Sequence, residues 1–509
     1  MASVLGAALL ACLFGGTPEG ASPANPACRW GGLPDSNLVS GAAGLPGDLN
    51  GLAPLWEVRV GTRQYSMPTV DRGRIYVASN DAGFARPGYR PTNGGALRCL
   101  DQATGAVIWQ LASPRYKEGL TPPYHFDQWS CGICSAPLVD GERVYVVGNR
   151  GEILCCDREG QRNGNDGPFT DELAYMGLDG GSAPDPADGD IIWIYDLIKE
   201  VGAVPHDVCG STLLLVGDFL YACTSNGVDD RHAKVANPDA PSLIVLDKRT
   251  GKLVAADGER IGRRLLHGHW SSPAAGTFDG RTLIFFGGGD GFLYAFEPVT
   301  AAGAEAQTLK KAWSFDCNPR EYRVRRGIPV PYSRDSSKSP DGPSEIIGTA
   351  VFHKNRVYVA IGQSPLHGEG QGRLSCVDAA TGLEVWGSGL VDRSLATPSI
   401  AGGLLYIADW SGGLHCFDAE TGARRWFHEL GAGAWTASTF VADGKVYASA
   451  ETGVLWILKA GSAKEVLSKI RFPTHLATPN AADGVLYIPT QKNLIAYPGT
   501  AGNAAGGGV

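Results

Sequence analysis

The sequence predicts an all-β chain folded as a single eight-bladed β-propeller, and three observations predict it. One phrase recurs almost unchanged: LSCVDAATGLEVW from Leu374, LHCFDAETGARRW from Leu414, LRCLDQATGAVIW from Leu97, and a degraded LIVLDKRTGKLVA from Leu243. The step from Asp378 to Asp418 is 40 residues, as is that from Trp386 to Trp426, and a period near 40 with strand-turn-strand content marks a propeller array. Eight times, an aliphatic residue precedes an aromatic one inside an alternating apolar run.

Those eight pairs are read as the second strands of the blades. They are Ile75-Tyr76, Val144-Tyr145, Leu220-Tyr221, Ile284-Phe285, Val357-Tyr358, Leu405-Tyr406, Val446-Tyr447 and Leu486-Tyr487. Turns such as Asp443-Gly444 and Asp483-Gly484 introduce several of them, and Asp-Gly is a strong hairpin signal. The third strand follows, then the Asp-x-x-Thr-Gly turn, then an outer strand with its Trp. In that turn the Asp carboxylate can accept backbone N–H groups and the Gly supplies a left-handed conformation.

The eighth blade runs from near His475 to Tyr497 and lacks an outer strand, while Leu55–Arg59 reads as an outer strand without a blade before it. Pairing the two closes the ring and removes exposed sheet edges. Residues 55–498 are therefore expected to form one disc, 28–54 an irregular N-terminal segment and 499–509 a flexible tail. Long insertions at 157–190, 227–242 and 316–345 carry Gly, Pro and Asp without strand or helix period, and in a disc of repeats such insertions map to the faces.

Composition narrows the function classes. With 43% hydrophobic and 19% charged residues, the chain can bury a large core. A net charge of −8 lacks the basic face of a nucleic-acid binder, so no nucleic-acid partner is expected. The apolar run from Val4 to Phe14 is too short to span a bilayer and suits a signal-peptide core, although no Lys or Arg precedes it. Residues 1–27 are read as a leader segment, and an exported, periplasmic or cell-envelope location follows. Leu9-Leu10-Ala11-Cys12 resembles a lipoprotein processing box, making Cys12 a candidate lipid anchor; the bland alternative is a disordered N-terminus. No other stretch is long and apolar enough for a transmembrane helix.

Many chemical-looking residues belong to the architecture. Trp56, Trp109, Trp193, Trp313, Trp386 and Trp426 fall in the outer-strand slot, where a large ring bridges blades. Cys99, Cys155, Cys376 and Cys416 share a slot that other blades fill with Val245, Ala295, Ile457 and Ala496, a small buried apolar position. Cys155-Cys156 is thus strand core rather than a vicinal disulfide. Cys131, Cys134 and Cys209 escape this explanation. No His follows Cys134 and no second CxxC exists, so neither a haem attachment nor a four-cysteine zinc site is supported. A disulfide among these three, a redox or metal role, and buried thiols stay open.

The segments entering the inner strands converge on the central channel and carry large polar and aromatic residues at unlike positions. The ligand site is therefore expected at the central mouth, contacted by Trp129, Cys131, Cys134, His206, Asp207, Cys209, His269, Trp270, Arg393, Trp435 and His475. Plugging of the channel by these side chains is the alternative. His267 and His269, two apart, would face the same way on an extended segment and could ligate a metal, but histidines satisfied by neighbouring backbone are the favoured reading. The loop from Gln161 to Glu172 has the oxygen spacing of a calcium site but has Gln at the first position and Asp166 where Gly is required, so a solvated loop is expected. Arg320, Arg323, Arg325, Arg326, Arg334 and Lys338 make the 316–345 insertion basic, either a solvated loop or a dock for an acidic surface. No Ser-His-Asp set, phosphate loop or dinucleotide fingerprint stands out, so no catalytic residue is assigned.

The Asp-x-x-Thr-Gly-x-x-x-Trp repeat resembles the tryptophan-docking repeat of pyrroloquinoline quinone (PQQ) propellers, over roughly residues 55–498. Two groups share it: quinoprotein dehydrogenases, and a non-enzymatic lineage that includes BamB. The chain looks most like a group of exported bacterial PQQ-like repeat proteins with no settled activity. A fold explained by its repeats, with no placed catalytic set, favours a non-catalytic binding or scaffold module with a protein partner in the cell envelope. The enzyme branch implies instead an alcohol or sugar dehydrogenase with PQQ over calcium, a catalytic Asp, an Arg near the quinone and a vicinal disulfide. Only Cys155-Cys156 echoes that set, and it lies in a strand. A small-ligand or glycan-binding propeller is the third reading.

Overall fold

A computed structural model of the chain describes residues 33–500 except 116–128, 179–180, 230, 333–341, 365–370 and 436. The leader, Cys12, Arg334, Lys338 and the tail from 501 onward lie outside the described residues. Eight four-stranded antiparallel blades ring a central axis, two of them extended by short parallel strands. Their innermost strands, in blades one to eight, are Thr69–Asp71, Leu138–Asp140, Leu214–Val216, Ala274–Phe278, Val351–His353, Ser399–Ala401, Phe440–Ala442 and Asn480–Ala482. All eight aliphatic-aromatic pairs lie in second strands, and both residues of each are buried to 1% exposure or less. Alternation places one residue of each pair against each neighbouring blade, so the core is a set of wedges between blades.

Blade eight closes as expected: Trp56–Arg59 runs antiparallel to Asn493–Pro498, with Trp56 opposite Ala496 and Arg59 opposite Asn493. The six outer-strand Trp residues dock as a series. Each indole N–H donates to a backbone carbonyl of the following blade, for example Trp313 to Ala379 at 2.9 Å, Trp386 to Ala419 at 2.9 Å and Trp426 to Gly461 at 2.9 Å. The turn between third and outer strand is held by its Asp: Asp378 Oδ1 accepts from Thr381 N at 3.0 Å and Thr381 Oγ1 at 2.9 Å. The shared cysteine slot is buried, and Cys99, Cys155, Cys376 and Cys416 have no exposure. Desolvation pushes the Cys155 thiol up to about 12, which makes it inert.

The N-terminal segment is irregular in backbone but extensively bonded. Asp35 accepts from Phe352 N at 3.1 Å, and Asn37 bonds both backbone groups of Ile400 at 2.8 Å. Val39–Ser40 then pairs in parallel with Val441–Ala442, and Ser40 Oγ donates to Ala481 O at 2.8 Å. These contacts fall on the inner strands of four consecutive blades, five to eight. The segment therefore belts one face of the disc, burying Leu38, Leu45 and Leu49.

Candidate functional site

The opposite face opens into a cavity of about 240 Å³ on the axis. Its floor is a repeat that the sequence reading missed. Met67, Ala136, Thr212, Ser272, Thr349, Thr397, Ser438 and Thr478 occupy one position in each blade and all line the cavity. Around the ring the backbone N–H of one blade donates to the side-chain hydroxyl of the next. The bonds run Ala136 to Thr212 at 3.2 Å, Thr212 to Ser272 at 2.9 Å, Ser272 to Thr349 at 3.3 Å and Thr349 to Thr397 at 3.0 Å. Thr397 to Ser438 and Ser438 to Thr478 follow, both at 2.9 Å. The mouth segments, which carry polar and aromatic residues at unlike positions, share this one position. Their last residue is a small hydroxyl in six blades, signalled by the recurrent Ser-x-Pro and Ala-Thr-Pro phrases.

The rim is where the blades diverge. Of the expected contact residues, Trp129, Cys134, Asp207, Trp270 and Trp435 line the cavity, joined by Tyr65, which the sequence reading overlooked. Trp435 lies edge-on between Trp129 and Trp410, with ring centroids 6.3 and 6.1 Å away. Trp129 and Trp435 remain 45% and 39% exposed, an aromatic surface open to solvent. His475, partly exposed, pairs through Nδ1 with Glu451 at 3.0 Å, and Glu451 also accepts from Trp435 N at 3.2 Å. Burial, with Cys131 and Cys134 beside it, raises the Tyr65 phenol.

Other expected residues lie behind the wall. Arg393 is fully buried, and its carbonyl accepts from Trp410 N at 2.9 Å, so it supports the rim from beneath. Cys131 and Cys209 are buried behind the wall, whereas Cys134 reaches the cavity. Between the two cysteines of the CxxC, Gly132, at φ 71°, packs on blade one. A Cβ there would meet Asn80 Cα at 2.5 Å.

His267 and His269 do not pair as metal ligands, the less favoured of the two readings. His269 is fully buried; its Nδ1 accepts from Gly289 N at 3.0 Å and its Nε2 meets Ser242 Oγ at 2.9 Å. With both ring nitrogens used, it is a packed core histidine held down to about 3 by desolvation. His267 turns the other way, because a twisted loop does not keep the two-residue period of a strand. Its Nε2 lies 2.9 Å from Nε2 of His206, which lies 3.0 Å from Nε2 of His232. His232 comes from the 227–242 insertion, and nothing in its local sequence announces a partner.

The insertion reaches the other two rings through Gly227, where a Cβ would stand 2.4 Å from His206 Cβ. Val228 N donates to His267 O at 2.9 Å, and Asp229 Oδ1 caps Ala233 N at 2.8 Å. Asp207, Ser225 and His232 all have positive φ, at 57°, 58° and 52°. Such strain, of order 1–3 kcal/mol per residue, gathers at functional sites. Desolvation holds His206 neutral to about pH 4, opposed by Asp207, whose Oδ1 is 3.5 Å away. Beyond His267 stands the buried carboxylate of Glu345, with Oε1 3.7 Å from Nδ1 and accepting from Tyr332 OH at 3.0 Å.

Two other expectations resolve plainly. In the Gln161–Glu172 loop, Asn163 and Asn165 turn their amide nitrogens to Asp166 and Glu172, so these side chains hydrogen-bond one another as a polar loop does. Within the basic insertion, Arg323 is paired with Asp316 at 2.5 and 2.7 Å and lies over Phe292, which makes it structural. The fit to PQQ over calcium is poor. Calcium takes six to eight oxygen ligands, several from carboxylates, whereas Asp207 is the one carboxylate on the cavity wall among the described residues. Cys155 and Cys156 lie inside the third strand of blade two, Glu152–Asp157.

Comparison with known proteins gives the same architecture. The family model described as outer membrane protein assembly factor BamB matches residues 295–439 and 370–504. A curated BamB from Shewanella oneidensis is 28% identical over 114 residues, which span 22% of this chain and 29% of that protein. The match therefore covers under a third of the relative. The crystal structure of BamB from Moraxella catarrhalis superposes with a TM-score of 0.52 at 14% identity, covering 88% of this chain and 97% of that one. A europium-containing methanol dehydrogenase gives 0.56 at 12% identity, covering 92% and 98%. The quinohemoprotein alcohol dehydrogenase ADHIIG from Pseudomonas putida HK5 gives 0.55 at 11%, covering 93% and 80%. Similarity at these identities shows the fold alone. No described helix is long and apolar enough to cross a membrane.

Proposed function

Because the chain is an eight-bladed propeller of PQQ-like repeats related to the BamB family, we propose that it is an exported, non-catalytic binding or scaffold module of the cell envelope, with its ligand or partner seated at the channel mouth. The relatives carry outer-membrane assembly in their names, and a binding role accords with that kinship. One observation carries the placement. The cavity floor repeats from blade to blade, whereas the rim does not, and the rim exposes Trp129 and Trp435 around an open axis. Stability accounts for the repeated hydroxyls; it does not call for exposed indoles, which are the residues interfaces enrich. The poor donor set for calcium supports binding over quinone-dependent oxidation. The exposed Trp pair also favours a second reading, stacking of a glycan ring.

Reconstitution with PQQ and calcium tests the choice. The expected result is no dye reduction with alcohols or aldoses; robust turnover abolished by chelation overturns it. Glycan-array and envelope-protein binding, each repeated with Trp435→Ala, then separate the readings. Saturable glycan binding that requires Trp435 replaces the protein-partner reading with the glycan one.

A further inference from the structure

Three imidazole nitrogens gather within 4.8 Å of one another, and hydrogen bonding cannot account for the arrangement. Each ring nitrogen has one in-plane position, carrying either a proton or a lone pair. Nε2 of His206 is nevertheless 2.9 Å from Nε2 of His267 and 3.0 Å from Nε2 of His232, and one in-plane position serves only one of those contacts. A shared cation satisfies all three. Imidazole nitrogens bound to one ion at roughly 2.0–2.1 Å lie about 2.9–3.4 Å apart for bond angles between square and tetrahedral, which brackets both spacings to His206, and the three ligand atoms lie within 4.8 Å of one another. No other group of three such side chains converges among the described residues.

We propose that His206, His232 and His267 form a binding site for a divalent first-row transition-metal ion of the zinc and copper class. An all-imidazole donor set selects these metals over calcium and magnesium, which take oxygen. Glu345, beyond Nδ1 of His267, stands where metal-bound histidines have a carboxylate behind them. Together with Asp207 it balances the two positive charges of a desolvated ion. The histidines come from the segments entering blades three and four and from the 227–242 insertion. The metal therefore clamps that insertion to the mouth beside Trp270, whose ring lies 5.2 Å from that of His267. The site extends the binding reading without resting on it.

Full-length protein, stripped with a chelator, is titrated with zinc(II) by calorimetry and with copper(II) by electron paramagnetic resonance. One equivalent is expected, with hyperfine structure from imidazole nitrogen in the copper spectrum. His232→Ala lies on the insertion, where the fold is least at stake, and is expected to weaken binding at least 100-fold. His353→Ala, at the end of the innermost strand of blade five and outside the cluster, is expected to leave it unchanged. Thiol alkylation is expected to spare binding, and loss of binding on alkylation would move the ion to the cysteines and overturn the proposal. Equal binding by both His variants, or uptake well below one equivalent, also overturns it. None of these results depends on a partner, so failure here leaves the scaffold reading standing.

Discussion

The backbone N–H of Thr397 donates to the side-chain oxygen of Ser438 at 2.9 Å, and the Thr397 hydroxyl in turn accepts from Thr349 N at 3.0 Å. Blades two to seven thus each hand this amide to the next blade's hydroxyl, and one residue type both seals these blade seams and floors the cavity.

Thr397→Val keeps the shape and removes the acceptor. The buried Thr349 N–H is then unsatisfied, a loss of about 1–3 kcal/mol, whereas Thr397→Ser retains the bond. Chemical denaturation should show a lower midpoint for the valine variant and a near-native one for serine. Equal midpoints would mean that the hydroxyl ring is incidental.

Gly422 faces the indole of Trp386 in the preceding blade, and a Cβ there would sit 2.6 Å from the ring, at a φ of 70°. Gly422→Ala therefore combines overpacking with left-handed strain, about 2–4 kcal/mol in sum. At Gly402, φ 58°, a Cβ meets nothing within 4 Å, so Ala there pays strain alone. Thermal melts of the two variants should rank Gly422→Ala lower.

Asp190 is held up to about 7, first by desolvation, then by Glu172, Asp157 and Asp166 around it, and against the hydrogen bond it accepts from Asp166 N. Its usual carboxylate value is 3.8. Between these values the folded state binds the extra proton, so this group's contribution to stability falls as pH rises from about 4 to about 7. Asp190→Asn should flatten that part of the stability–pH curve relative to the native chain. Parallel curves would remove Asp190 as the cause.

Trp435 is 39% exposed, and Trp435→Ala should melt near normally while losing partner or ligand affinity. Trp270 packs on His206 and His267. Its alanine variant should melt earlier, the removal of a buried aromatic costing roughly 3–5 kcal/mol at full burial. Early melting of both, with no ligand found at the mouth, would make the rim a plug.

What the sequence determined by itself is what repeats along it. Blade count, the closing strand at Trp56, the docked Trp series and the buried cysteine slot all follow from a 40-residue period, because each is written in strands and turns whose side-chain directions local geometry dictates. Five of the eleven expected mouth residues also line the cavity, since the fold brings every segment that enters an inner strand to the axis. Tertiary structure alone decided the rest. His206 and His232 are 26 residues apart and His206 and His267 are 61 apart, and no periodicity relates an insertion loop to a mouth segment. His269 went the other way because a loop carries no strand alternation. The belt from Asp35 to Ser40 likewise bonds inner strands more than 300 residues distant. Such contacts are chosen by which surfaces the closed ring brings within reach, and that is settled only once all eight blades are in place.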